Sequence, residues 1–226
     1  MSKTRTNRWV ATALGASLLA LVGMALARPE EPGSRVRCAN LVYAGNKTSV
    51  CFSDRFLRRL ELETNIRTES KFARVRLDSA ELYEFPFAIM TGEGGFTLTP
   101  RERVALRHYV TSGGFLLASA GCSDPEWSRS FRTEMGKLFP KQKLTPVPIG
   151  HPMFRTVYSI SNIQTTHGRK GASLEAIAND GKQVVVFSPD GLNDTAHARN
   201  CCCCGGDELD QAEQINVNLL AYALLH

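Results

Sequence analysis

This chain of 226 residues has little net charge, no internal repeat, no second linker and no cysteine close behind its one long apolar stretch. The formal charge is +5, but Lys3, Arg5 and Arg8 stand in the first 27 residues with no acid among them, which leaves +2 on the other 199. So even a balance excludes the basic footprint of a nucleic-acid-binding surface. With neither repeat nor internal linker, residues 36–226 read as a single domain. That length buries a full core without help from disulfides. The missing cysteine leaves a lipid-anchored amino terminus without support.

What is present starts at the amino terminus. Lys3, Arg5 and Arg8 precede "WVATALGASLLALVGMALA" (9–27), which ends in Ala25-Leu26-Ala27, the small-x-small pattern of a cleavage site. Residues 1–27 therefore read as a signal peptide, and "RPEEPGSR" (28–35) as a linker. Nineteen residues also suffice for a retained membrane anchor. Thr12, Gly15, Ser17 and Gly23 dilute the stretch and favour cleavage. The expected location is exported, periplasmic or cell envelope. An amino-terminal transmembrane anchor is the alternative, and only then would the protein touch a membrane.

Beyond the linker, apolar runs of strand length alternate with helical patterns. "VRCANLVYAG" (36–45), "ARVRL" (73–77), "FPFAIMTG" (85–92) and "FLLASAG" (115–121) read as strands, two of them apolar throughout as in a sheet covered on both faces. "SDRFLRRLELETN" (53–65) reads as an amphipathic helix with Ser53 as N-cap. "TPRERVALRHYVTSGG" (99–114) has fuller helix grammar: Thr99 as N-cap, Pro100 at the first position, Glu102 closing a capping box, and Gly113-Gly114 as the stop. "DPEWSRSFRTEMGKLF" (124–139) begins the same way, and Trp127, Phe131 and Met135 form its core stripe. "SLEAIANDGKQVVVFSP" (173–189) is a hairpin through Asn179-Asp180-Gly181, and 207–225 a closing helix. The pattern predicts a three-layer α/β/α sandwich around a mostly parallel central sheet.

The blocks "YAGNKTSVCFSDRFL", "ELYEFPFAIMTGEGGFTLT", "LRHYVTSGGFLLASAGCSDPEWSRSFRTEM", "HPMFRTVY" and "INVNLLAYAL" together resemble a bacterial family known as domain of unknown function 4159. That resemblance implies a flavodoxin-like, class I glutamine amidotransferase-like fold and names no activity. It also places Cys122, in "ASAGCSDPE", at the nucleophile elbow between a buried strand and a helix. A helix N-terminus there would favour a thiolate and hold an oxyanion. The elbow is imperfect, with Ala120 and Asp124 where glycines would stand. No histidine has Glu two residues on, as the amidotransferase partner would, so His151 and His197 are the bases left by position. Gly92, Glu93, Gly94 and Gly95 in "TGEGGF", with Gly121 and Ser123, form the expected ligand-binding turn pair.

The least ordinary stretch is "HARNCCCCGGDE" (197–208). Cys201 and Cys204 have zinc-knuckle spacing, and His197 with Cys201, Cys202, Cys203 and Cys204 is the candidate metal set, with zinc the fitting ion. In an oxidising compartment the same run would instead pair internally or reach Cys122. Seven cysteines leave at least one outside any intrachain disulfide, and Cys38 and Cys51 stand apart from the run with no chemistry implied. Three function classes follow. The first is a non-catalytic domain that binds a ligand or a cell-envelope partner through a thiol-rich edge. The second is a thiol- or metal-dependent hydrolase or amidotransferase using Cys122. The third is a disulfide-stapled structural protein.

Overall fold

The apolar runs form strands, because each is bounded by turn residues and has both faces to bury. The structure, a computed structural model, describes residues 35–168, 170–199, 201 and 206–226. The leader, most of the linker, and Cys202, Cys203 and Cys204 lie outside the described residues. The strands are β1 (Cys38–Val42), β2 (Ala73–Arg76), β3 (Phe87–Gly92), β4 (Phe115–Ala120), β5 (Thr145–Pro146), β6 (Glu175–Asn179) and β7 (Lys182–Ser188). They make one seven-stranded sheet in the order β2-β1-β3-β4-β7-β6-β5. The run β2-β1-β3-β4-β7 is parallel, while β6 is antiparallel to β7 and β5 to β6. The sheet is therefore mixed. Its antiparallel part is the hairpin, whose turn residues Asp180 and Gly181 both have positive φ, 49° and 79°, as a mirror-image turn requires.

Helices α1 (Arg55–Glu63), α2 (Pro100–Thr111), α3 (Pro125–Leu138) and α4 (Ala212–Leu225) cover both faces. Alternation along each strand decides the partner. Cys38, Phe87, Ile89, Phe115 and Leu117 pack with Phe56, Leu57 and Leu60 of α1 and Ile215 and Leu219 of α4. Ala39, Leu41, Ala88, Met90 and Leu116 turn the other way, to Leu106 of α2 and Trp127, Phe131 and Met135 of α3. Each such large side chain contributes roughly 1.5–3 kcal/mol by leaving water. Across the outer ends of α2 and α3, Arg103 Nε lies 2.6 Å from Glu134 Oε2 and Lys137 Nζ 2.7 Å from Glu134 Oε1.

The capping box of α2 forms in full, with Glu102 N donating to Thr99 Oγ1 at 3.2 Å and Thr99 N to Glu102 Oε2 at 2.7 Å. Two helix starts differ from the sequence pattern. The N-cap of α1 is Asp54 rather than Ser53, whose hydroxyl accepts from Arg55 N one residue too early. α4 begins at Ala212 rather than 207, because Asp207 and Glu208 spend their carboxylates on other segments. Asp207 Oδ1 accepts from His167 N at 2.6 Å and Gly168 N at 3.0 Å. The irregular stretch from Val147 to Leu174 has no sequence signature. It is pinned by buried Asn218, whose Oδ1 accepts from Val157 N and Tyr158 N at 2.9 and 2.7 Å. No helix among the described residues is long and apolar enough to cross a membrane.

Candidate functional site at the carboxyl edge of the sheet

β3, β4 and β7 each carry one hydroxyl near the carboxyl end of an apolar run: Thr91, Ser119 and Ser188. Parallel register sets these side by side, Thr91 opposite Ser119 and Ser119 opposite Ser188. All three are fully buried, so each needs a partner. The chain leaving β7 supplies them in sequence. Gly191 N donates to Ser188 Oγ at 3.0 Å and Leu192 N to Ser119 Oγ at 2.7 Å. Asn193 Nδ2 donates to Thr91 Oγ1 at 3.0 Å, and its Oδ1 accepts from Ser119 Oγ. On its other side Asn193 O accepts from Ser53 N at 2.8 Å, and Leu192 O accepts from Asn216 Nδ2 at 2.8 Å. Gly191 sits at φ +107°, and a Cβ there would meet Ala120 O at 3.0 Å. Residues 191–193 thus pack against the carboxyl ends of β3, β4 and β7, beside the β1/β3 switch point at which an open α/β sheet of this order takes its ligand.

The predicted turn pair lies beside this plug. Gly121 leads from β4 into Cys122, at φ 53° and ψ 30°, and Ser123, at φ 56°, before Asp124 caps α3. The glycines permit close contact: a Cβ on Gly121 would fall 2.9 Å from Gly92 O, and one on Gly92 2.6 Å from Tyr43 Oη. Gly94 takes φ +65°. Gly95 precedes Phe96, whose N donates to Ser130 Oγ at 3.1 Å. Ser123 Oγ donates to Asp190 O at 2.7 Å, and Lys47 Nζ to Glu93 O at 2.9 Å. Gly92, Glu93, Gly94, Gly95, Gly121 and Ser123 are therefore brought together as two facing turns.

Cys122 is at the elbow position, with its Sγ 3.1 Å from Glu93 Oε1. It is a disulfide cysteine. A disulfide sulfur has no proton to give, so this contact becomes a thiol hydrogen bond only after reduction. His151 is not brought to it. Its ring packs 5.6 Å from Tyr222, which in turn lies against Phe115 at the start of β4. Cys122 follows the end of that six-residue strand, a strand length of about 20 Å. Burial, with His226 nearby, holds the His151 imidazolium below its ordinary range.

Of the tetracysteine run only Cys201 is among the described residues. Cys201 is bonded to Cys51, 150 residues away, with Cα atoms 4.8 Å apart, and a Cβ on Gly206 would fall on the backbone of Cys122. The pairing with Cys51 is the part that sequence reasoning missed. It also removes Cys201 as a thiolate ligand. His197 Nδ1 lies 2.7 Å from Asp194 Oδ1. Among the described residues no cluster of three His, Cys, Asp or Glu side chains is placed to hold a metal ion. His197 and Cys201 thus do not fit a zinc site here, and Cys202, Cys203 and Cys204 lie outside the described residues.

Also missed was Glu208. It is 8% exposed, and its Oε2 accepts from Thr195 N and Oγ1, both at 3.0 Å. Its Oε1 is buried and has no hydrogen-bond partner among the described residues. Burial pushes its carboxyl pKa up, against the pull of the Thr195 hydrogen bonds, and neighbouring Asp194 adds to the rise. Cys38, alone in the core, is pushed up by burial to about 12 and is inert as a nucleophile.

A family model described as Domain of unknown function (DUF4159) matches residues 37–224. No curated protein matches the chain.

Proposed function

The chain belongs to this family of domains of unknown function, and from that premise we propose an exported, non-catalytic domain of amidotransferase-like type that binds a ligand or cell-envelope partner at its carboxyl edge. The five parallel strands in the order β2-β1-β3-β4-β7 support the flavodoxin-like reading, since doubly wound sheets use that order. The observation that carries the function is the state of Cys122. The elbow sulfur is held in a disulfide and touches a carboxylate, and His151 stands at the opposite edge. Acyl transfer needs a free thiolate, and a disulfide sulfur supplies none. The paired Cys51 and Cys201 agree with an oxidising compartment. A disulfide-stapled structural protein is the second reading, favoured by the plug at residues 191–193.

Protein recovered from the cell envelope, treated with iodoacetamide before and after reduction and mapped by mass, tests the proposal. The mature chain should begin at Arg28. Cys122 should be alkylated only after reduction, and then at the rate of an ordinary thiol. A cytoplasmic chain retaining Met1, or a reduced Cys122 reacting a hundredfold faster than free cysteine, would reverse the reading.

A further inference from the structure

Beyond β6 the sheet opens into a wedge. β5 pairs with β6 only at Thr145 opposite Ala176 and Pro146 opposite Glu175. The residues before Thr145 form no ladder with the rest of β6; instead Gln142 Nε2 donates to Ala178 O at 2.8 Å. Between this chain, β6 and α3 lies a cavity of about 260 Å3. That is a little under the roughly 300 Å3 at which drug-sized ligand sites begin, so it suits a smaller molecule.

Its floor is apolar. Met135 and Ile177 belong to the α2–α3 layer of the core, and Leu144 is half-buried against them. Its rim is cationic. Arg132 is fixed in place, with Nη2 and Nε 2.5 and 3.2 Å from the Glu175 carboxylate and its guanidinium 4.8 Å from the Phe187 ring centroid. These contacts leave Arg132 with N–H donors to spare. Lys143, on the segment before β5, makes no ion pair among the described residues. With Glu175 already spent on Arg132, the rim carries an unmatched positive charge.

Gly136 keeps the α3 wall of the cavity bare. It lies within the helix, two residues before Leu138, and Phe139 is the cap, so it is not the helix stop. A Cβ there would meet nothing within 4 Å. Neither packing nor backbone conformation requires glycine at this position, and glycine inside a helix is less stable than alanine. The missing side chain costs helix stability and leaves the wedge open.

We infer that this wedge binds a small amphiphilic carboxylate, with its alkyl chain on Met135, Leu144 and Ile177 and its head group at Lys143 and Arg132. None of these residues belongs to the two facing turns or to residues 191–193. The inference therefore goes beyond the function proposed for the carboxyl edge, and each holds or fails without the other.

Titration of the full-length protein with sodium octanoate at neutral pH, followed by amide and methyl NMR shifts, provides the test. Shifts at Gly136, Leu144 and Ile177 should saturate with a single Kd, while Gly121 and Ser123 stay unmoved. Acetate, which lacks the chain, should not saturate the site. Octylammonium has the opposite charge and should bind at least about fivefold more weakly, because repulsion replaces attraction at an exposed rim. Gly136→Leu fills the wall with a good helix former, and should keep or raise Tm while abolishing saturation. Lys143→Gln should raise the octanoate Kd about two- to fivefold. Octanoate shifts that fail to saturate or spread evenly over the surface overturn the inference, as does unchanged binding in Gly136→Leu. Octylammonium binding as tightly as octanoate, or an unchanged Kd in Lys143→Gln, overturns the assignment of an anionic head group.

Discussion

Asn193 ties three distant parts of the chain together with one side chain and one carbonyl. Its carboxamide serves Thr91 on β3 and Ser119 on β4, and its carbonyl receives Ser53 from the loop before α1. Asn193→Ala strands two buried hydroxyls in a site too small for generous hydration. The expected cost is about 1–3 kcal/mol, read as a lower urea midpoint. Hydrogen exchange at Leu192 and Ser53 should accelerate, while the β3–β4 ladder keeps its protection. Uniform acceleration across the sheet would mean that Asn193 is simply part of the global core. Gly191 belongs to the same anchor, since its positive φ and the 3.0 Å approach to Ala120 O admit no side chain there.

Among the elements, α2 and α3 are joined by more than apolar packing. Glu134 is almost fully buried and takes both Arg103 and Lys137. Burial alone would raise its carboxyl pKa, but the Arg103 and Lys137 hydrogen bonds and charges outweigh it and hold the value below the ordinary carboxylate range. A depressed folded-state pKa gives stability that is present above the unfolded value, near 4.3, and lost as pH falls through the folded one. Thermal unfolding of the wild type should therefore lose stability as pH drops below about 4.3. Glu134→Gln should flatten that slope and lower Tm at pH 7 by roughly 2–4 °C, the equivalent of about 1 kcal/mol in a domain of this size. An identical acid slope in the variant would show that other carboxylates carry the effect. Glu208 acts with the opposite sign: its raised pKa opposes folding above the folded value, and that penalty fades in acid.

For the molecule as a whole, the Cys51–Cys201 bond closes a loop of 150 residues. It links the loop after β1 to the segment after β7, two crossings that sheet hydrogen bonds alone leave free to separate in the unfolded chain. In the chain-entropy account a loop of this length contributes about 4–5 kcal/mol. The Cys51→Ser, Cys201→Ser double variant should keep its fold, because the apolar core is complete without the bond, and lose several kcal/mol in urea unfolding. A loss under about 1 kcal/mol would show that the oxidised unfolded state is barely restricted.

Much of this fold was legible in order. Apolar runs gave the parallel strands, and "Thr-Pro-x-Glu" and "Asp-Pro-Glu" gave two helix starts. Asp180-Gly181 gave the hairpin, and the glycine turns pointed to the carboxyl edge. These are local signals, set within a few residues by sterics, capping and alternation. The placement of Thr91, Ser119 and Ser188 near the ends of three apolar runs was a readable sign of a buried polar row, but their common partner was not. Asn193, Glu208 and the Cys51–Cys201 pair depend on segments up to 150 residues apart, and no local pattern encodes which loop crosses which strand end. The sequence by itself determined the alternating elements, the two-sided burial of the strands and the strand-to-helix turn at Cys122. Only the tertiary structure decided that His151 would lie a strand's length away, that residues 191–193 would cover the ends of β3, β4 and β7, and that the Cys122 sulfur would be bonded. Such outcomes follow from the register and crossing of distant segments, which are chosen by the packing of the whole core.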